Sequence, residues 1–386
     1  MDQTDPPLAE RAIPAVAAVG RGFGLGRVML FEGPGRPHRL QTWPLPEPGP
    51  GQALVAIDLA AVCGSDRHSV SGRRPTPAPA VLGHEQVGHV VAIDPAVRDL
   101  AGRPLRPGDR VVWSICLACG QCDRCQRGLS QKCRHLLKYG HERWQDGAGL
   151  GGGFASHILL RAGSAIATVP AGLPDVVAVS AACATATAVA CVEAAQSWLD
   201  RWAGLPVVVC GAGLLGLTVT ALLTDAGAQV TVAEPDRSRR ALARRFGAVR
   251  SLPPAELGPA DAPLAVFELS GDVRQVASCL RLVEVGGVVV LAGTVSPGPA
   301  VAVAAEDLVR RLTSLVGVHN YRPDHLTAAL AYLSGPGRAW PWASLVAPPR
   351  PLERLDHCFT HRLPGSPPRA SVAPQWDAAR VVSPSP

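Results

Sequence analysis

The stretch PVVVCGAGLLGLTVTALLTDAG, residues 206–227, decides the fold. An apolar run ends in Gly211-x-Gly213-x-x-Gly216, and a second apolar run of helical character follows. The strand-like QVTVAE comes next and ends in Glu234. A lone GxGxxG says little, but strand, glycines, helix, strand and acid in this order form a dinucleotide fingerprint. Gly211 permits the tight turn, Gly213 lets a pyrophosphate approach the backbone, and Gly216 lets helix and strand pack closely. Leu215 lies in the same turn and joins the cofactor contacts. The helix N-terminus receives the negative charge. Glu234 suits ribose hydroxyls and repels a 2′-phosphate, which favours NAD, while Arg237, Arg239 and Arg240 soften that exclusion and keep NADP open.

Downstream the alternation continues, with strand-like APLAVFELSG, VVVLAGT and LTSLVGVHNY separated by the helical VRQVASCLRLVEVGG. Strands alternating with helices predict an α/β fold built on a parallel doubly wound sheet. A helix in DHLTAALAYLSGPG and a strand near RASVAP, rejoining the first domain, are expected after it. Upstream, RVMLFEGPG, QALVAIDLAAVCG, QVGHVVAID and DRVVWSIC read as strands of a β-rich domain, and GGGFASH at 151–157 as a glycine turn feeding another. The expected division is a loose tail at 1–26, a β-rich domain at 27–185 and 323–376, a nucleotide domain at 186–322, and a loose tail at 377–386.

Two groups of metal-donor residues fall in the β-rich part. CGSDRHSVSGRRPTPAPAVLGHE, residues 63–85, carries Cys63 at one end and His84–Glu85 at the other. Cysteine and histidine suit tetrahedral Zn²⁺, and Ser65, Asp66 and His68 add a hydroxyl, a carboxylate and an imidazole able to position a substrate hydroxyl and move its proton. A buried cysteine beside an unrelated histidine is the plainer alternative. Cys119, Cys122, Cys125 and Cys133 are spaced x2, x2 and x7, the pattern of a closed structural zinc site within a lobe at 116–133. An Fe–S cluster and a disulfide pair are the alternatives. Cys116, just outside the set, reads as a plain buried thiol. Residues 176–195 form an alanine-rich helical run containing Cys183.

The 386 residues imply two or three domains, and 47% apolar with 18% charged residues describes a globular protein. Lysine occurs only at Lys132 and Lys138; Lys138, near His141, can be held by a local need for a compact ammonium. Arginine is spread along the chain and aromatics are sparse, so a nucleic-acid binder is not expected. Clustered cysteines favour a reducing compartment. The segment from Ala12 to Val19 lacks a basic start and is broken by Pro14, so no secretory signal is read. No stretch is expected to be long and apolar enough to cross a bilayer, and the location is expected to be cytoplasmic.

CGSD at 63–66, GHE at 83–85, the four-cysteine lobe and GAGLLG at 211–216 together resemble the medium-chain, zinc-dependent alcohol dehydrogenases over roughly residues 27–376. GHEQVG, KYGHE, CATATA and GVHNY are similar to members associated with phosphonate metabolism. The resemblance implies a GroES-like catalytic domain, a Rossmann domain and two zinc ions per chain. It implies Cys63, His84 and Cys183 as catalytic zinc ligands, with Glu85 as a nearby carboxylate and Asp66 orienting the histidine. Ser65 and His68 would relay the substrate proton, Thr187 would touch the nicotinamide, and Arg239 would lie beside the adenine ribose. Gly64 replaces an arginine that some members place on the pyrophosphate. Lys138, His141 and His319 would suit an anionic hydroxyalkyl substrate such as a hydroxyalkyl phosphonate, with a polyol or secondary alcohol as the alternative. A zinc-free enone reductase and a non-catalytic protein of the same fold are the further alternatives. A small-molecule alcohol or aldehyde is the expected partner, with no nucleic acid or membrane, in a homodimer or homotetramer.

Overall fold

Pro206–Cys210 is a strand and Leu214–Asp225 a helix in the computed structural model, which describes residues 23–144, 150–258, 261–360 and 365–374. Around them stands a six-stranded sheet in the spatial order Arg250–Leu252, Gln229–Ala233, Pro206–Cys210, Ala265–Glu268, Val288–Leu291 and Ser314–Gly317. Every pairing in it is parallel. The central strands are runs of buried valine because both sheet faces are covered. Strand order reverses between Pro206–Cys210 and Ala265–Glu268, which opens a crevice at their carboxyl ends.

The first part of the chain is β-rich. Ala53–Ala61 lies at the centre of a seven-stranded sheet, pairing antiparallel with Glu85–Ile93, His157–Leu160 and Ser371–Ala373. The strand near RASVAP therefore rejoins this domain as expected. A three-stranded sheet is led by Leu25–Phe31, which begins two residues inside the expected N-terminal tail. Residues 1–22 of that tail and the tail at 377–386 lie outside the described residues.

One expectation is corrected. Asp175–Gln196 is a continuous helical stretch of 22 residues with mean hydropathy 1.8, long and apolar enough to cross a bilayer by length and composition. Its apolarity has a cause inside the fold, since 67% of its most apolar window is buried. It packs against Leu214–Asp225 and Pro323–Ser334 in the core shared by both halves of the chain. The expected domain boundary at 185/186 falls within this stretch. All eleven cysteines are free, which removes the disulfide alternative.

His157, fully buried on its strand, hydrogen-bonds Ser156 Oγ at 3.0 Å. Burial lowers its pKa from 6.5 to about 4. Between those values the unfolded chain binds the extra proton, so stability is lost as pH falls from 6.5 towards about 4. The loss is up to about 3 kcal/mol. A His157→Gln variant is expected to show a shallower fall in denaturation midpoint over that window, and equal slopes for variant and parent would refute the assignment.

Candidate active site

The short helix Gly64–Val70 starts at Cys63, whose backbone N–H donates to Asp66 Oδ2 at 2.9 Å. Cysteine here takes the helix-capping place usually held by serine or threonine, with the acid three residues on closing the box. The other oxygen, Asp66 Oδ1, lies 3.2 Å from His84 Nδ1. One buried carboxylate thus fixes the backbone at Cys63 and turns the His84 ring so that Nε2 faces the cleft, 3.1 Å from Ser65 Oγ.

Cys183 arrives on the helical stretch Asp175–Gln196, which packs in the core shared by both halves. The helical stretch widens to a π-turn at Ala181–Thr185, a device that recurs at functional positions. Tyr321, buried, donates its hydroxyl to the Ala182 carbonyl and accepts the Ile115 N–H at 3.4 Å, which anchors the turn. Cys183 Sγ then stands 3.9 Å from Cys63 Sγ. The donor atoms of Cys63, His84 and Cys183 all lie within 4.8 Å of one another.

Their electrostatics favour a cation. The Cys63 thiol is held well below its ordinary value, first by the hydrogen bond it shares with Cys183 and then, against burial, by the charges of Arg369 and His84. Cys183, its partner, is pushed up. Burial alone would lower His84, but the Asp66 carboxylate and the Cys63 sulfur overcome it and carry its pKa to about 10. Two sulfurs and an imidazole in a buried, cation-favouring corner fit a zinc ion with one position left open.

The second group also fits. Sulfur–sulfur distances of 3.4 Å (Cys119–Cys133), 3.5 Å (Cys122–Cys125) and 3.9 Å (Cys122–Cys133) bracket the roughly 3.8 Å of four thiolates around one zinc. Backbone N–H groups of Arg134 and Cys125 lower Cys122 to about 6, stabilising its thiolate.

Cys63, His84 and Cys183 open into a cleft of about 300 Å³ between the two halves. Gly213, Leu215 and Thr187 line it, as do Ser65, His68, Lys138, His141 and His319. At Gly211 φ is +101°, so the turn needs glycine, whereas Gly213 leaves open space before the helix N-terminus. A Cβ on Gly216 would stand 1.9 Å from the Gly211 carbonyl oxygen. Thr187 donates its hydroxyl to the Cys183 carbonyl at 2.6 Å. Glu234 is buried and accepts N–H bonds from Ala212 at 2.8 Å and Asp236 at 3.0 Å. Arg239 is tied by its backbone to Asp236 Oδ1 and, with Glu234, lies off the cleft lining. Glu85 pairs with Arg369, with contacts of 2.7 and 2.9 Å. Burial pushes its carboxyl up to about 7 against the pull of that guanidinium.

Sequence reading missed Arg369, Arg74 and Tyr321, which also line the cleft. It missed Ser296 too, whose Oγ lies 2.8 Å from His68 Nδ1 across the domain gap.

A paired zinc-donor set beside a dinucleotide turn, at the join of a β-rich and a doubly wound domain, defines a zinc-binding dehydrogenase. The alcohol dehydrogenase GroES-like domain family matches residues 49–171, and the zinc-binding dehydrogenase family matches residues 215–335. D-altritol 5-dehydrogenase of Agrobacterium fabrum is 30% identical over 335 residues, covering 84% of this chain and 92% of that protein. L-threonine 3-dehydrogenase of Anaeromyxobacter dehalogenans is 30% identical over 271 residues, 66% of this chain and 72% of its own. An alcohol dehydrogenase structure from Thermotoga maritima superposes with TM-score 0.83 at 27% identity, covering 91% of this chain and all (100%) of the other. A zinc-binding dehydrogenase from Sinorhizobium meliloti, bound to NADP, gives 0.78 at 26% identity over 91% and 99% of the two chains. The chain belongs to the medium-chain alcohol dehydrogenase superfamily, a group of oxidoreductases acting on CH–OH.

Elemental analysis is expected to find about two zinc ions per parent chain and about one in a Cys63→Ser/Cys183→Ser variant. About one in both proteins would mean that the cleft site binds none.

Proposed function

We propose that this chain is an NAD-preferring, zinc-dependent alcohol dehydrogenase that passes hydride between a polar alcohol and the nicotinamide. The observation that supports it most is the opening of the Cys63–His84–Cys183 corner into the same cleft as Gly213 and Thr187. Zinc held by those three residues would act as a Lewis acid, making a substrate hydroxyl more acidic. Ser65 Oγ, beside His84 Nε2, is placed to take the hydroxyl proton. His68 carries it outward, held by Ser296. Burial lowers His68, as do the charges of Arg73 and Arg74 against the opposing Cys63, so its imidazole is neutral and able to accept a proton at neutral pH. The glycine turn and the Leu214–Asp225 N-terminus receive the pyrophosphate. Glu234, at the end of Gln229–Ala233, supports NAD over NADP through repulsion of a 2′-phosphate.

The altritol and threonine dehydrogenases among the relatives support a hydroxyl flanked by polar groups; a hydroxyalkyl phosphonate rests on the sequence resemblance alone. Eleven free thiols suit a reducing compartment, so we place the enzyme in the cytoplasm; secretion of the native chain would contradict this. Ser314–Gly317 is the outer strand of its sheet; it carries exposed Leu315 and follows exposed Val309 and Leu312, which supports a homodimer or homotetramer built on that edge. Light scattering that finds only monomer at micromolar concentration would remove the edge-paired assembly.

In steady-state assays with a panel of alcohols, kcat/KM is expected to be larger with NAD than with NADP, and Cys183→Ser is expected to abolish turnover. The kcat/KM for oxidation is expected to fall as pH drops below His68's lowered pKa. His68→Asn should lose about a hundredfold and with it that acid limb. An unchanged pH profile in the variant would exclude His68 from the relay. No turnover of any alcohol by zinc-loaded protein would overturn the dehydrogenase reading.

A further inference from the structure

The cleft carries a charge pattern that the hydride chemistry does not need. Its lining includes Arg74, Lys138 and Arg369 and the imidazoles of His68, His84, His141 and His319, but, among the described residues, no aspartate or glutamate. Arg369 is accounted for by Glu85. Arg74 and Lys138 are not: both are half-buried, and among the described residues no hydrogen bond or ion pair reaches either side-chain head group. The nearest carboxylate on the Lys138 loop, Glu142, accepts the Lys138 backbone N–H at 2.8 Å and does not line the cleft.

The two cations are near enough to act on one another and on their neighbours. Burial first, and then the charges of Arg74 and Lys132, make the Lys138 ammonium harder to hold charged. Burial, His84, Arg74 and Lys138 together keep His141 well below its ordinary value. Burial, Lys132, Lys138 and Arg74 lower His319 to about 4. Lys132 hydrogen-bonds the His319 ring at the mouth. Partly desolvated cations facing one cavity without a counter-ion are costly, and an anion entering the cavity relieves that cost.

The backbone holds this arrangement in place. A Cβ on Gly140 would stand 2.2 Å from the Gly83 carbonyl oxygen, and one on Gly152 only 1.9 Å from that of Val81. The loop carrying Lys138 and His141 is therefore pressed against the turn that presents His84, and the two rings lie 4.9 Å apart. Lys138 is thereby held half-buried in the cleft lining rather than out in solvent.

We infer that Arg74 and Lys138 form an anion-recognition subsite, so that the substrate is a hydroxy or carbonyl compound bearing a carboxylate, phosphate or phosphonate group near its reacting carbon. This rests on the dehydrogenase reading for its substrate, but the subsite itself is a binding property. Arginine offers a fork to two anion oxygens and lysine a point charge, a pairing suited to a tetrahedral or planar oxyanion.

The test uses zinc-loaded protein saturated with NADH, and calorimetry with methylphosphonate, acetate and ethanol as unreactive or neutral probes. The parent is expected to bind an anionic probe, and Arg74→Met and Lys138→Met each to weaken it by about tenfold to a hundredfold. The phosphonate and acetate arms tell which oxyanion the subsite prefers. In turnover assays, the ratio of kcat/KM for 2-hydroxyethylphosphonate or 3-hydroxybutyrate to that for a neutral polyol is expected to fall in both variants. Unaltered thermal midpoints identify folded variants, and Arg74→Lys should restore part of the binding. Anion probes that do not bind, or bind the parent and the double variant equally, overturn the subsite. Anion binding that depends on Arg74 and Lys138 without turnover of any alcohol would leave the subsite standing and remove the dehydrogenase reading.

Discussion

Everything at the cleft depends on the Asp66 carboxylate. With one oxygen it closes the helix cap at Cys63, and with the other it orients His84. Two potential metal donors far apart in sequence are thereby fixed relative to each other by a single buried acid. Such an acid is tolerable only because both oxygens are engaged, since an unpaired buried carboxylate would be expensive. Its neighbours share the arrangement: Ser65 lies on the same first helical turn and inherits its position beside His84 Nε2.

The third donor is held by a different compromise. A regular α-helix through 175–196 would carry its hydrogen bonds without interruption; instead the chain opens into a π-turn around Cys183. That irregularity is stabilised from outside the helix, by Tyr321 on the Ala182 carbonyl and by dense alanine packing on neighbouring helices. Because the same stretch runs on against the helix Leu214–Asp225, the Cys63–His84–Cys183 corner and the glycine turn belong to one packed unit. The core that makes this stretch apolar enough to imitate a membrane span is what couples the two sites.

How much was legible in the sequence follows from the range of the interactions. The glycine turn and the alternation after residue 206 depend on neighbours a few residues away, and the strands and helices stand where the pattern placed them. The cysteine lobe is equally local. Cys63 and His84 were visible as donors, but the residues alone offered no way to join Cys183 to them, 120 positions on; that join came from resemblance. Arg369 and Tyr321 were invisible for the same reason, as each matters through a partner more than a hundred residues distant. The helix at Gly64–Val70 was missed despite a readable signal. Its capping box carries cysteine where serine or threonine is usual.

Arginine abundance hid one more feature. With lysine nearly absent, arginine marks the whole surface, and no single arginine in RRPTPAP stands out by composition. Placement separates them: Arg73 is exposed, whereas Arg74 turns into the cleft opposite Lys138. A globular surface of modest net charge can thus contain a cavity of one sign, because the acids are spent elsewhere. Asp66 is committed to His84, Glu85 to Arg369, Glu234 and Glu268 to backbone N–H groups around the cofactor turn. Each of these carboxylates is buried to build the scaffold. What remains facing the cleft is the cationic remainder of that distribution, a consequence of which acids the fold needs for support.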